Sequence, residues 1–311
     1  KTDKSRLANQ GWRMTKFPIT GHLLQGGRPL GVMLIIASTL FFSTAGVFTK
    51  GVYADAWSVI FWRGVFAALL GILYLGMIGR LRTEMRRMRR VGWCLAFIYA
   101  SGTAAFIPAF KMTSIANVAL IWSSAPLLAA MLAWLWFRQT VSFGFVLATL
   151  LAALGTLVVV WGSFGSASLA GDLLAVWMTA MMVLIMTIYR CYPDAPTTLP
   201  TVMASLILLP VAWLRADPML IPLDEIMITS LFGVTFVVAS VTLSEGSRHL
   251  APGETALLGL GETPLAILLA LLILAEYPSV QTLVGGGIIM AAVGWYQWAM
   301  LRAERQSPKR Q

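Results

Sequence analysis

Long apolar segments recur along almost the whole chain, with short polar stretches between them. Each segment has about 20 residues, the length that an α-helix needs to cross the hydrocarbon part of a bilayer. Of the 311 residues, 58% are hydrophobic and 12% are charged, whereas a soluble domain carries about 25% charged residues. The pattern predicts an all-α membrane protein with ten transmembrane helices, at residues 30–50, 56–79, 91–110, 115–137, 141–162, 172–192, 198–215, 226–247, 253–275 and 280–301.

The positions of the basic residues predict the orientation of these spans. With ten spans, all lysines and arginines except Lys50, Arg63, Lys111 and Arg215 fall on the side of the two termini, together with the arginine-rich loop Arg80–Arg90. Cytoplasmic loops of membrane proteins carry this excess of positive charge. We therefore expect a multi-pass protein with both termini in the cytoplasm, and the net charge of +10 is explained by topology and the lipid bilayer rather than by nucleic acid.

The chain also contains an internal repeat. Three pairs of features recur in the same order at offsets of 138 to 140 residues: Gly31–Lys50 with Gly171–Arg190, Pro126 with Pro264, and Gly155 with Gly294. Each half has five spans, and an odd number predicts two inverted five-helix repeats with a substrate site between them. The predicted organisation is a basic tail, a first repeat, an outer linker, a second repeat and a second basic tail, at residues 1–29, 30–162, 163–171, 172–301 and 302–311.

Glu262 lies near the middle of the apolar segment Ala251–Glu276, two residues before Pro264. A charge at the bilayer centre and a proline inside a helix are both unfavourable in lipid, so this helix is expected to face a polar cavity or protein. Glu262 is a candidate contact for a substrate ammonium group or a proton-coupling carboxylate; the alternative is a hydrogen bond that joins two helices. Pro126 and Pro264 are expected to kink their helices, or to free backbone carbonyls for a ligand.

Three stretches carry a resemblance to a known family: FWRGVFAALL at Phe61–Leu70, ANVALIWSSAPLLAAMLAWL at Ala116–Leu135, and the region Leu260–Gly294 that begins LGETPL. With them the chain resembles ten-span members of the drug/metabolite transporter superfamily with two EamA-like domains. The resemblance implies export of amino acids, including aromatic ones, or of other small metabolites across the bacterial inner membrane. It also implies a cavity among spans 1, 3, 4, 6, 8 and 9. The chain departs from the family where Arg138 follows the fourth span, against Glu276 after the ninth.

Other candidate substrate contacts are aromatic or hydroxyl side chains on the spans that the resemblance places around the cavity. They are Trp122, Trp177, Tyr99 and Thr103, and the pairs Thr39 with Ser43 and Ser240 with Ser244, one turn apart on spans 1 and 8. An aromatic lining would accept amino-acid side chains by contact area and stacking. The alternatives are ordinary helix packing for the aromatic residues and hydrogen bonds to their own helix for the hydroxyls. Arg63, inside the second span, is interpreted as a snorkelling or carbonyl-bound side chain, or as part of a gating ion pair.

The sequence predicts a carrier and not an enzyme, with no cofactor and no metal. Its two cysteines, Cys94 and Cys191, are isolated, and His22 and His249 lie outside the spans. A nucleophile–base pair and a metal cluster are therefore not recognisable. An exporter of other metabolites or cationic drugs, a membrane-embedded enzyme and a channel are the alternatives. The smooth face formed by Gly285–Gly287 suits packing within a monomer or a homodimer.

Overall fold

The computed structural model of the chain describes residues 28–125, 128, 131–132, 143–162, 168–192, 194–246, 249, 258–259 and 261–306. Within these residues the secondary structure is helical. The helices are α1 (Arg28–Ser43), α2 (Ala45–Lys50), α3 (Ala56–Met77), α4 (Leu81–Arg87), α5 (Arg90–Met112), α6 (Ile115–Ser123), α7 (Phe143–Trp161), α8 (Ser168–Cys191), α9 (Leu199–Arg215), α10 (Leu223–Gly246), α11 (Glu262–Leu274) and α12 (Val280–Gln306).

Apolar helices lie in each of the ten predicted spans. Five are long and apolar enough to cross a membrane, at Pro29–Lys50, Ala56–Met77, Arg90–Met112, Ser168–Tyr189 and Leu223–Leu243. Shorter apolar helices lie at Val146–Trp161, Leu199–Arg215, Glu262–Leu274 and Val280–Tyr296. These helices are those of a multi-pass membrane protein.

Some boundaries differ from the prediction. The first span is divided at Thr44, where the hydroxyl donates to the carbonyl oxygen of Phe41 at 2.6 Å and competes with the helical ladder. The arginine-rich loop contains a short helix, α4, which was expected to be a simple connection. Helix α8 begins at Ser168, inside the expected linker of residues 163–171.

Helices α7 and α12 run antiparallel in close contact. Gly155 lies against Ile289, and Gly162 lies against Gln281, so the residue number falls along α12 as it rises along α7. A Cβ atom at Gly155 would lie 2.7 Å from the carbonyl oxygen of Gly285. Because no side chain fits at that distance, glycine allows the two backbones to meet.

The pair α3 and α9 is antiparallel by the same criterion. The Trp62 indole, near the start of α3, donates to the carbonyl oxygen of Pro218, just after α9, at 2.8 Å. Further along α3, Gly71 packs against Val202 near the start of α9.

The pair α6 and α11 is antiparallel as well. Near the start of α11, the Thr263 hydroxyl donates to the carbonyl oxygen of Ala119 at 3.2 Å. Beyond the other end of α11, Glu276 accepts the backbone N–H of Ile115, the first residue of α6, at 2.7 Å.

The bundle has two ends, which we name after one residue in each. The Lys50 end contains Lys50, Lys111, Asp172, Glu225 and Glu276, which are joined there by hydrogen bonds or lie beside one another. The Glu84 end contains α4 and the connection that leads into α9. The two ends therefore differ in the charged residues that they present.

The buried apolar residues form two main clusters in the bundle. The α6–α11 cluster includes Ile121, Met178 and Ile289 and draws on α5, α6, α7, α8, α11 and α12. The α3–α9 cluster includes Ile60, Leu208 and Phe232 and draws on α2, α3, α5, α9 and α10.

Candidate functional site

Glu262 is the first residue of α11, and Gly261 is its N-cap. Twelve further residues carry α11 to its end near Glu276, which places Glu262 about 18 Å from the Lys50 end. Glu262 as a residue is partly exposed, its carboxyl group is buried, and the Trp122 side chain lies within hydrogen-bonding reach of that group. The fold thus brings together two of the residues that the sequence marked as candidates.

The kink expected at Pro264 stays a prediction, because most of residues 247–260 lie outside the described residues; Leu258 and Gly259 are helical, Gly261 lies in a turn, and α11 begins at Glu262. Pro264 is the third residue of α11, and the first backbone hydrogen bond of that helix runs from Leu265 N–H to Gly261 at 3.2 Å. A proline in the first turn costs no helical hydrogen bond because these N–H groups have no partner within the helix. Pro264 is therefore compatible with the first turn of α11.

Helix α6 ends close to this point. Its last residue is Ser123, and Ser124 is the C-cap. Both serine hydroxyls donate to carbonyls of the last turn, at Leu120 and Ile121, each at 2.7 Å. Ala125 and Leu128, beyond this turn, are again helical. Pro126, the predicted counterpart of Pro264, is outside the described residues.

The predicted hydroxyls on span 1 and span 8 bond to their own helices. Thr39 and Ser43 are buried and donate to Ile35 at 2.9 Å and to Leu40 at 2.8 Å. Ser240 is partly buried and donates to Phe236 at 2.8 Å. Thr39 also lies beside the turn before Glu262, since a Cβ atom at Gly261 would be 3.6 Å from its methyl group. The side chain of Ser244 is outside the described residues.

The aromatic candidates fall into two groups. Tyr99 is partly buried beside the α3–α9 cluster and hydrogen-bonds with Tyr189 of α8. Thr103, one turn further along α5, is also partly exposed. Trp177 is 51% exposed, and its indole donates to the Ser101 hydroxyl at 3.1 Å. The described contact of Trp177 is therefore with α5.

Sequence reasoning missed a carboxylate contact that occurs at both ends of the bundle. At the Lys50 end, Glu225 of α10 accepts the backbone N–H groups of Tyr53 and Ala54, before α3, at 3.0 and 2.7 Å. At the Glu84 end, Glu84 of α4 accepts those of Thr198 and Leu199, at the start of α9, at 3.1 and 2.7 Å. We call these two contacts the carboxylate clamps.

The Lys50 end has an ion pair in addition. Lys50 and Glu276 are 2.7 Å apart, with side chains 27% and 18% exposed. Ala275 adopts a left-handed conformation with φ of 52°, and this turn leads the chain from α11 to Glu276. Together with the bond from Ile115 to Glu276, the pair connects the ends of α2, α6 and α11.

A second missed group is a buried polar network at the same end. Asp172 of α8 is fully buried and accepts hydrogen bonds from Thr113 and Asn117. The Asn117 side-chain oxygen accepts from Thr282 of α12 at 2.6 Å. All the members are satisfied by one another, as stable buried polar groups must be. Within the described residues, clusters of His, Cys, Asp or Glu that could hold a metal ion are not found.

A bundle of apolar helices with a carboxylate inside it is typical of membrane transporters. Residues 29–161 match the EamA-like transporter family. This match confirms, for that part of the chain, the resemblance drawn from the sequence, and the members of the family are membrane transporters of small solutes.

Comparison with solved structures shows the same fold. One crystal structure of a protein is 17% identical over 88% of this chain and 98% of its own, with a TM-score of 0.61. No curated protein matches the chain.

Proposed function

We propose that the chain is a carrier in the bacterial inner membrane that exports small amphipathic metabolites, namely amino acids including aromatic ones, by alternating access. Glu262 supports this proposal most directly. It is a carboxylate deep in an apolar bundle, on a partly exposed residue at the start of α11 and beside an aromatic ring. Such a group suits the ammonium end of an amino acid, and the ring of Trp122 suits an apolar side chain.

The packing of the helices supports two inverted five-span repeats. If residues 30–162 and 172–301 are the repeats, then α3 corresponds to α9, α6 to α11 and α7 to α12. Each of these pairs is in contact and antiparallel, as a two-fold axis in the membrane plane requires. The helices α1 and α10 are in contact, and so are α5 and α8. The same axis would exchange the first contact with the second.

The carboxylate clamps obey the same relation. Glu84 and Glu225 are 141 residues apart; Glu84 lies just before the third span of its repeat, and Glu225 lies in the first turn of the third span of the other. Each accepts backbone N–H groups just before the second span of the other repeat. Because neither contact follows from hydrophobicity, their recurrence at opposite ends is independent support for the repeat.

We further propose that the Lys50 end faces the outside. The Glu84 end carries the arginine-rich helix α4 and its flanks, which favours the cytoplasm by the positive-inside rule. Both termini are then cytoplasmic. The ion pair and the hydrogen bond that join α2, α6 and α11 close the Lys50 end in this conformation.

The test is transport into proteoliposomes of a panel of labelled amino acids, with and without a pH gradient. We expect saturable transport of amino acids that have apolar or aromatic side chains. A dependence on the gradient would assign proton coupling to Glu262. Transport of organic amines alone would identify an exporter of cationic compounds instead, and transport of neither class would refute the proposal.

A further inference from the structure

Arg63 is a second charged residue inside the bundle. It is the eighth residue of α3, and only 6% of its surface is exposed. Its guanidinium carbon lies 4.2 Å from the ring centroid of Phe236, 5.0 Å from that of Phe232 and 5.8 Å from that of Phe106. A cation over aromatic faces is attracted to their negative charge density, which partly compensates for its removal from water.

The described part of the chain provides no anion for this cation. The Nε atom of Arg63 is buried and has no hydrogen-bond partner, and no carboxylate among the described residues forms an ion pair with it. The carbonyl pairing and the gating ion pair that the sequence suggested are thus not observed. A buried guanidinium without a counter-charge is unfavourable, and buried donors normally have partners. Arg63 is therefore able to accept an anionic ligand.

The position of Arg63 lies between the two apolar clusters. Phe106, one of the three rings around it, is partly exposed and packs against both the α6–α11 cluster and the α3–α9 cluster. A ligand between the clusters would meet the guanidinium and its phenylalanine rings together.

Two contacts connect the surroundings of Arg63 with the turn before Glu262. Phe236 meets the ring of Phe42 on α1 edge to face, with centroids 6.0 Å apart. Thr39, one turn earlier on α1, lies against Gly261, which precedes Glu262. The ring beside the guanidinium and the residue before Glu262 therefore both contact the same segment of α1, at Phe42 and at Thr39.

We propose that Arg63 binds the carboxylate group of the transported solute. This assignment rests on the proposed function and extends it. The planar guanidinium matches a carboxylate in two parallel hydrogen bonds, the phenylalanine rings accept an apolar or aromatic side chain, and Glu262 takes the ammonium group. The substrate class is then zwitterionic amino acids with apolar or aromatic side chains, and organic amines that lack the carboxylate are bound more weakly.

The first experiment measures how unlabelled L-phenylalanine and phenethylamine inhibit transport of labelled L-phenylalanine by proteoliposomes. Phenethylamine has the same ring and amine without the carboxylate. We expect L-phenylalanine to inhibit at least tenfold more strongly in the wild type. Arg63→Met, which removes the charge at similar length, should reduce this preference to less than about threefold, since a buried charge-assisted contact is worth a tenfold effect or more. Arg63→Lys, which keeps the charge without the fork, should give an intermediate value.

Arg215→Met is the matched control. Arg215 also lies over an aromatic ring, 5.7 Å from Trp57, but on the surface. Its replacement should leave the preference unchanged. An Arg63→Met protein that keeps the wild-type preference would overturn the assignment.

A second experiment does not require transport. Benzoate, an aromatic carboxylate without an amine, should raise the melting temperature of the purified wild type and of the Arg215→Met variant by binding the folded state. Benzoate should not change the melting temperature of Arg63→Met. If that variant does not fold, the shift in Arg63→Lys should be smaller than in the wild type. Absence of a shift in the wild type would refute the carboxylate site, and an equal shift by chloride at the same ionic strength would assign the site to inorganic anions. If benzoate binds through Arg63 while the wild type transports neither test compound, the proposed function fails and the site remains.

Discussion

The two carboxylates at the ends of α11 are in opposite situations. Glu276 is paired with Lys50 and accepts the backbone N–H of Ile115. Glu262 is partly exposed inside the bundle and has one side chain, Trp122, in hydrogen-bonding reach among the described residues. A carboxylate can accept about four hydrogen bonds. Glu276 therefore stabilises the structure, whereas Glu262 has acceptor capacity left for a ligand or a proton.

The largest effect is expected from Glu262→Gln. Glutamine keeps the size of the side chain and can still accept from Trp122, but it cannot neutralise an ammonium group or carry a proton. Because charge-assisted contacts in a desolvated site are worth about 2–5 kcal/mol, initial transport rates should fall about a hundredfold. The melting temperature and the size-exclusion profile should not change. Wild-type kinetics at several pH values would exclude Glu262 from binding and coupling.

The complementary result is expected for Glu276→Gln. This change removes the partner of Lys50 and weakens the bond to Ile115, so it should lower the free energy of unfolding by about 2 kcal/mol. Exchanging the charges, with Lys50→Glu and Glu276→Lys together, should restore part of that loss. The measurement is thermal unfolding in detergent. An unchanged stability in both single variants would contradict a structural role for the pair.

The two ends of the bundle extend the comparison. In the repeat alignment, Lys50 corresponds to Arg190 and Glu276 corresponds to Arg138. Lys50 and Glu276 have opposite charges, whereas both residues that align with them are arginines. Two arginines cannot form an ion pair like that of Lys50 and Glu276, so the two proposed repeats share their clamps and differ in this ion pair.

A smaller effect is expected for Trp122→Phe. The variant loses the indole N–H near Glu262 but keeps most of the aromatic surface, so transport should fall about threefold, as the loss of one hydrogen bond of about 0.5–1.5 kcal/mol implies. Trp122→Ala should in addition weaken transport of aromatic amino acids more than that of small ones. Equal losses for both classes would indicate that Trp122 only packs.

Hydropathy and charge were sufficient to predict the helices and their approximate limits. Gly285 and Gly286, part of the predicted smooth face, do pack inside the chain, against Gly155 and Leu120. For Pro264 the sequence predicted a kink or a freed carbonyl, and the structure has a turn at Gly261 between helical residues. The neighbouring contact of Thr263 with Ala119 joins residues 144 apart, so sequence spacing could not predict it.

The clamps and the surroundings of Arg63 were missed for a related reason. Glu84 lies among six arginines and was read as part of a topology signal, although its partners are backbone groups of a distant connection. Every residue except proline has a backbone N–H, so residue type does not reveal which N–H groups a carboxylate binds. The rings around Arg63 come from α5 and α10, and sequence spacing within α3 contains no information about them.

The smallest expected effect concerns the turn that leads to Glu276. Ala275 has φ of 52°, a conformation that costs a residue with a side chain about 1–2 kcal/mol. Glycine adopts it without strain but loses more entropy on folding, so Ala275→Gly should raise stability by no more than about 1 kcal/mol. A loss of stability on thermal unfolding would show that the methyl group packs favourably.

An internal transport site requires water between the two clusters. Labelling of a Thr103→Cys variant measures whether that water is present. In a variant with Cys94→Ser and Cys191→Ser, Thr103→Cys should react with a charged, membrane-impermeant thiol reagent, and L-phenylalanine should slow the reaction. Met33→Cys, on an exposed position of α1, provides the lipid-facing control. Labelling of the Thr103→Cys variant only by a lipid-soluble reagent, at the rate of that control, would contradict an internal site and the carrier mechanism with it.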